Sequence, residues 1–173
     1  WSSDGNYLAV TGDSGDDEKR EFIIYLFESG SLTVTCSVDY GGNDKRGYSV
    51  AWSTDNQYVA IGGKPNAQHQ EVEIYSVSGG QVSDSPVCSV NYGSYVTSVS
   101  WSPDGNYLVV GGVEPGDEHN NFEVYGFDGN DLTILFASQT DYQTHSDFES
   151  IINEIKWHSS SEYLSVVGIG NPD

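Results

Sequence analysis

Chemistry in this chain would fall first to its carboxylates. Asp13, Asp16, Asp17 and Glu18 lie close together, and Glu114, Asp117 and Glu118 form a second group. Carboxylates interleaved with glycine suit Ca²⁺, which takes about six to eight oxygen ligands. These seven residues are the candidate metal ligands, and calcium is the one cofactor the sequence nominates. The spacing is not that of an EF-hand, because no glutamate follows at the right distance. The equivalent stretch 64–71 carries only one carboxylate, so such a site would not recur. The alternative is a solvated loop rich in turn formers.

Other candidate groups reduce to architecture. His69 and His119 each stand six residues before a tyrosine, Tyr75 and Tyr125, where Lys19 precedes Tyr25. Zinc needs three or four converging ligands, and no third partner is in register, so both read as loop residues. Cys36 and Cys88 occupy matching positions and read as packing thiols. There is no glycine–x–serine–x–glycine elbow, phosphate-cradling loop or histidine–glutamate metal pair. The expectation is a protein without catalytic residues.

Lys and Arg number 6 against 26 Asp and Glu, a formal charge of −20. Gripping nucleic-acid phosphates takes a basic surface, so that class is excluded, and an anionic membrane surface is an unfavourable partner. No apolar run reaches the roughly 18 residues of a membrane helix. Aromatics at 13% argue against disorder.

What must position these residues is a repeat. Four segments align, WSSDGNYLAVTG from Trp1, WSTDNQYVAIGG from Trp52, WSPDGNYLVVGG from Trp101 and WHSSSEYLSVVG from Trp157. The first three are followed by EFIIYLF, EVEIYSV and NFEVYGF, and then by LTVTCSVDY, PVCSVNY and LTILFASQT. The units run approximately 1–51, 52–100, 101–156 and, partially, 157–173. Each reads as four strands. The first strand ends at the tryptophan, as in VTSVSW (96–101), a turn such as Ser102–Gly105 follows, and the second strand is NYLVVGG (106–112). Residues 148–157 align with a tryptophan-ending strand rather than a helix. Recurring four-stranded antiparallel units predict an all-β propeller whose blades cover one another's apolar faces.

The tryptophan–serine–x–aspartate–glycine hairpin and the YLVVGG strand resemble WD40-type propellers along essentially the whole chain. The glycine–histidine dipeptide of that family is absent, and Tyr25-Leu26, Tyr75-Ser76 and Tyr125-Gly126 replace its tryptophan–aspartate pair. The diglycines at 62–63 and 111–112 also look like kelch repeats, and phrases such as VYGFDGNDL are shared with lactonase-like propellers.

Counting strands gives three, four, four and two, about three and a half blades where closed rings have about four to eight. The expectation is therefore an incomplete propeller, a segment of a longer chain or a subunit meeting its own copies through strand edges. By function it reads as a scaffold presenting loops 39–48, 113–121 and 139–150 to protein partners. The alternatives are a self-assembling secreted or surface filament and a lactonase-like enzyme. Neither nucleic acid nor membrane insertion enters the reading. Low lysine content with abundant Gly, Ser, Asn, Asp and Tyr leans toward the cell surface or exterior.

Overall fold

The computed structural model describes residues 1–13, 21–39, 46–64, 70–113, 120–139 and 151–169. Among them all regular structure is β: β1 Tyr7–Thr11, β2 Phe22–Glu28, β3 Ser31–Val38, β4 Gly47–Trp52, β5 Tyr58–Gly63, β6 Val72–Ser78 and β7 Gln81–Val82. There follow β8 Cys88–Val90, β9 Val96–Trp101, β10 Tyr107–Gly112, β11 Asn120–Phe127, β12 Leu132–Gln139, β13 Ile151–Trp157 and β14 Leu164–Ile169. They form four antiparallel sheets, β1–β3, β4–β8, β9–β12 and β13–β14. Inner strands β4, β9 and β13 lie side by side. The described sheets do not close into a ring, the incomplete propeller anticipated from the repeats.

Residues 148–157 end in a strand, as their alignment required. One strand departs from expectation. The fourth strand of the second sheet is broken into β7 and β8, both paired with β6. Ser83–Pro86 interrupts it, because proline has no N–H to donate and is tolerated in a sheet only at an edge or bulge.

The tryptophan hairpins show why the repeat has its spelling. Ser2, Ser53 and Ser102 each donate a hydroxyl proton to the carboxylate two residues on, Asp4, Asp55 and Asp104, at 2.6 Å. The same hydroxyls accept the N–H of Tyr7, Tyr58 and Tyr107 at 2.9 Å. One residue in each turn must take a positive φ: Gly5 at 75°, Asn56 at 62°, Gly105 at 77° and Ser161 at 61°. Glycine and asparagine tolerate that region best.

Alternation then divides each second strand between two neighbours, since successive side chains point to opposite faces. Val59 and Ile61 of β5 pack with Ala9, Phe22, Ile24 and Tyr75. Ala60, on the other face, joins Val96, Val99, Trp101, Leu108 and Val110. Val109 in turn points the opposite way, to Ile152 and Ile155. No sheet keeps an apolar core of its own; each shares one with the next. Fully burying such an aliphatic side chain is worth about 1.5–3 kcal/mol.

Candidate interaction surface

The hydrogen-bond register gives the sheets two unlike ends. At one end sit the tryptophan hairpins and the tight turns Ser29–Gly30 and Gly79–Gly80. There the polar groups serve the scaffold. The Ser2 hydroxyl, and then backbone N–H groups, hold Asp4 below the usual carboxylate range, and Ser102 does the same for Asp104. Turns also bridge sheets: Ser3 donates its N–H to Asn56 Oδ1 at 2.7 Å and its hydroxyl to the Thr54 carbonyl at 2.8 Å. A shallow groove nearby is lined by Gln57, Tyr58, Ser76, Ser78, Gln81 and Ser83, with no carboxylate, histidine or cysteine.

At the opposite end each inner strand begins and each second strand finishes. Arg46, just before β4, pairs through Nε with Asp13 Oδ2 at 2.9 Å, tying the end of β1 to the entry of the next sheet. The Arg46 carbonyl accepts the N–H of Lys64, and the Tyr95 carbonyl accepts that of Val113, both at 2.9 Å. On this frame stand two solvent-facing rings from neighbouring sheets. Tyr48 and Tyr95, 46% and 41% exposed, meet edge to face with centroids 6.4 Å apart and planes at 63°. Tyr48 is the extra residue of a bulge between Gly47 and Ser49, and a bulge re-aims a side chain at a sheet rim. Tyrosine is enriched in interface hot spots, where a rigid apolar ring carries a polar tip.

Of the seven candidate calcium ligands, Asp13 is placed at this end, engaged with Arg46. Asp16, Asp17, Glu18, Glu114, Asp117 and Glu118 lie outside the described residues, as do His69, His119 and Lys19. The loops 39–48, 113–121 and 139–150 are described only at their edges. Among the described residues, no group of three or more His, Cys, Asp or Glu is arranged to hold a metal. No helix there is long and apolar enough to cross a membrane. Cys36 and Cys88 are free thiols, half-buried against two different cores.

Sequence reasoning missed a set of buried carboxylates on, or just before, the third strands. Glu71, at 1% exposure, accepts the backbone N–H of Tyr92 at 2.7 Å and of Gly93 at 3.2 Å, bracing the turn that leads into β9. Tyr75 donates its phenol to Glu73 at 2.7 Å, and Tyr125 does likewise to Glu123. Burial first, and then the neighbouring carboxylate, pushes both phenols well above their usual range. The available signal was Glu–x–Tyr in register in two repeats, which places both side chains on one face of the strand.

Two of the four tryptophans tie neighbouring sheets together through their indoles. Trp101 donates its indole N–H to the Ala51 carbonyl at 3.2 Å, and Trp157 donates to that of Ser100 at 3.1 Å.

Residues 85–117 match the family described as WD domain, G-beta repeat. No curated protein matches the sequence. Among solved structures, a chain of the mitotic checkpoint complex is similar over 96% of this chain and 46% of its own, at 19% identity and a TM-score of 0.66. A Lactobacillus plantarum protein matches over 81% and 40%, at 15% identity and 0.59. A Bacteroides fragilis protein provisionally described as a 6-phosphogluconolactonase matches over 82% and 38%, at 18% identity and 0.64. The chain thus spans less than half the length of each of these three. The fold is thus that of a β-propeller, and residues 85–117 carry a WD40-type repeat within it.

Proposed function

We propose that residues 1–173 act as one propeller segment whose work is binding: a non-enzymatic scaffold presenting the Tyr48–Tyr95 end of its sheets to protein partners. The observation that carries this reading is the exposed tyrosine pair, held by two adjacent sheets at the end where the long connections emerge. Arg46 and Lys64 stand at the same end of a chain whose formal charge is −20. A partner able to meet both the rings and that mixed charge is a folded protein or peptide. The similar chain in the mitotic checkpoint complex gives the fold a precedent within a protein assembly.

The test is quantitative affinity capture from the native source. It compares the protein with a Tyr48→Ser/Tyr95→Ser double variant and a control at the opposite end, Gln57→Ser. Loss of a reproducible partner by at least tenfold in the tyrosine variant alone supports the scaffold. Equal capture by all three proteins overturns the assignment to this end. Lactone hydrolysis is the competing reading, raised by the Bacteroides fragilis structure. Turnover of 6-phosphogluconolactone by the purified protein, lost on replacing a single side chain, would displace the scaffold.

A further inference from the structure

We propose that the inner edge of β1 receives one more antiparallel strand of about six residues, the polypeptide continuing ahead of Trp1. Its last carbonyl takes the indole N–H of Trp52. Two internal features carry this, each read against its equivalents elsewhere in the fold.

The first is an indole. Trp101 and Trp157 each reach the residue just before the preceding tryptophan, Ala51 and Ser100 respectively. By the same rule Trp52 should reach the residue just before Trp1. Among the described residues, Trp52 Nε1 is the buried side-chain polar atom without a hydrogen-bond partner. A buried donor left unpaired costs about 1–3 kcal/mol, which a carbonyl at that point removes.

The second is a glycine. Gly63, Gly112 and Gly168 stand at or next to the end of their second strands, and a Cβ on any of them would strike a carbonyl at the entry to the first strand of the same sheet. The contacts are with Arg46 O at 2.1 Å, Tyr95 O at 1.9 Å and Ile151 O at 2.5 Å. Each of those carbonyls belongs to the sixth residue before a tryptophan. Gly12 stands at the same place in β1's repeat, yet a Cβ there would meet nothing within 4 Å. Two positions five residues apart along one strand, the last and the sixth before Trp1, are thus marked independently.

Sheet order agrees. Among the described residues β5 and β10 are paired on both sides, and β1 with β2 alone. A strand running into Trp1 is favoured over one from a second copy by the hairpin already formed. Ser2 N–H bonds the Tyr7 carbonyl at 2.9 Å, and Gly5 N–H bonds the Ser2 carbonyl at 3.0 Å. This sets the amino nitrogen of Trp1 at the mouth of the edge. The other sheets also give the strand a pattern. Val99 and Ile155, each two residues before a tryptophan, are buried. Ser49 and Ser98, three before, accept the N–H of Val99 at 3.1 Å and of Ile155 at 3.0 Å.

The pattern is checkable in the intact gene product. An apolar residue is expected two before Trp1, a hydroxyl three before, and no proline among the last three. A mature polypeptide that starts at Trp1 overturns the proposal. The physical test attaches the chain's own Tyr95–Ser100 sequence ahead of Trp1, with a proline-bearing scramble as control. The Trp52 indole N–H is followed by hydrogen exchange in ¹⁵N NMR, together with the urea midpoint. The graft should slow that exchange at least tenfold and raise the midpoint, and the scramble should do neither. Gly12→Val should abolish the gain in the grafted protein while leaving the ungrafted one unchanged. Exchange indifferent to the graft overturns the proposal. So does protection in the ungrafted chain that grows with protein concentration, which would assign the edge to a second copy.

Discussion

Thr11 and Gly47 exchange bulk across the first sheet junction. A Cβ on Gly47 would lie 1.7 Å from Thr11 Oγ1. At the next two junctions the glycine is on the other side: a Cβ on Gly62 would strike Val96 and Val99, and one on Gly111 would strike Ile155 and Ile152. Each junction therefore holds one small and one larger residue, in either order. Gly47→Val is expected to destabilise by about 1–3 kcal/mol through overpacking. Adding Thr11→Gly should recover most of that loss, because residues in contact couple. Urea unfolding of both single variants and the double variant measures the coupling; additive losses would show that the two sites are independent.

The indoles divide by what their N–H meets. Trp101 holds the Ala51 carbonyl, while Trp52 Nε1 has no partner among the described residues. Replacing either by phenylalanine loses packing, but only Trp101→Phe also breaks a hydrogen bond. Its loss in unfolding free energy should exceed that of Trp52→Phe by about 0.5–1.5 kcal/mol, the net worth of such a bond. Equal losses would mean that Trp52 finds an acceptor in solution.

What the sequence made legible was what local chemistry writes. Trp101-Ser102-Pro103-Asp104-Gly105 names its own turn, and alternation along Leu108, Val109 and Val110 names two buried faces. The break at Pro86 was harder to see, because an edge strand tolerates an interruption that a central one would not. Glu71 heads the EVEIYSV segment, and only the fold brings the N–H groups of Tyr92 and Gly93 to its carboxylate. The tyrosine pair escaped for a different reason. Tyr48 stands four residues before its tryptophan and Tyr95 six, so aligning the repeats placed them out of register. Asp13, nominated for calcium, is engaged by Arg46 from a part of the chain that no spacing rule linked to it.

Cys88 should be a poor nucleophile in the folded protein. Burial first, then the charges of Asp131 and Asp128, push its thiol up to about 12. Near pH 8 its thiolate fraction is then on the order of one in ten thousand, and the thiolate is the reactive form. In a Cys36→Ala background, iodoacetamide labelling of Cys88 should run at least a hundredfold slower than in urea. Comparable rates in the two states would show that the site opens readily.

Glu123 sets a pH dependence of definite sign. Desolvation raises its carboxyl above the ordinary 4.5, and the Tyr125 hydrogen bond offsets this only in part. Between 4.5 and that raised value the folded state holds a proton the unfolded chain has released, so this residue's contribution to stability falls as pH rises. Asp4, Asp104 and Asp128 act the other way: their carboxyls lie below the ordinary 3.8, and what they contribute is lost as pH falls through those depressed values. Glu123→Gln keeps an acceptor for Tyr125 but has no proton to lose. Its stability relative to the parent, from urea midpoints across pH 4 to pH 8, should therefore climb with pH. A difference flat across that range would mean that Glu123 ionises as freely folded as unfolded.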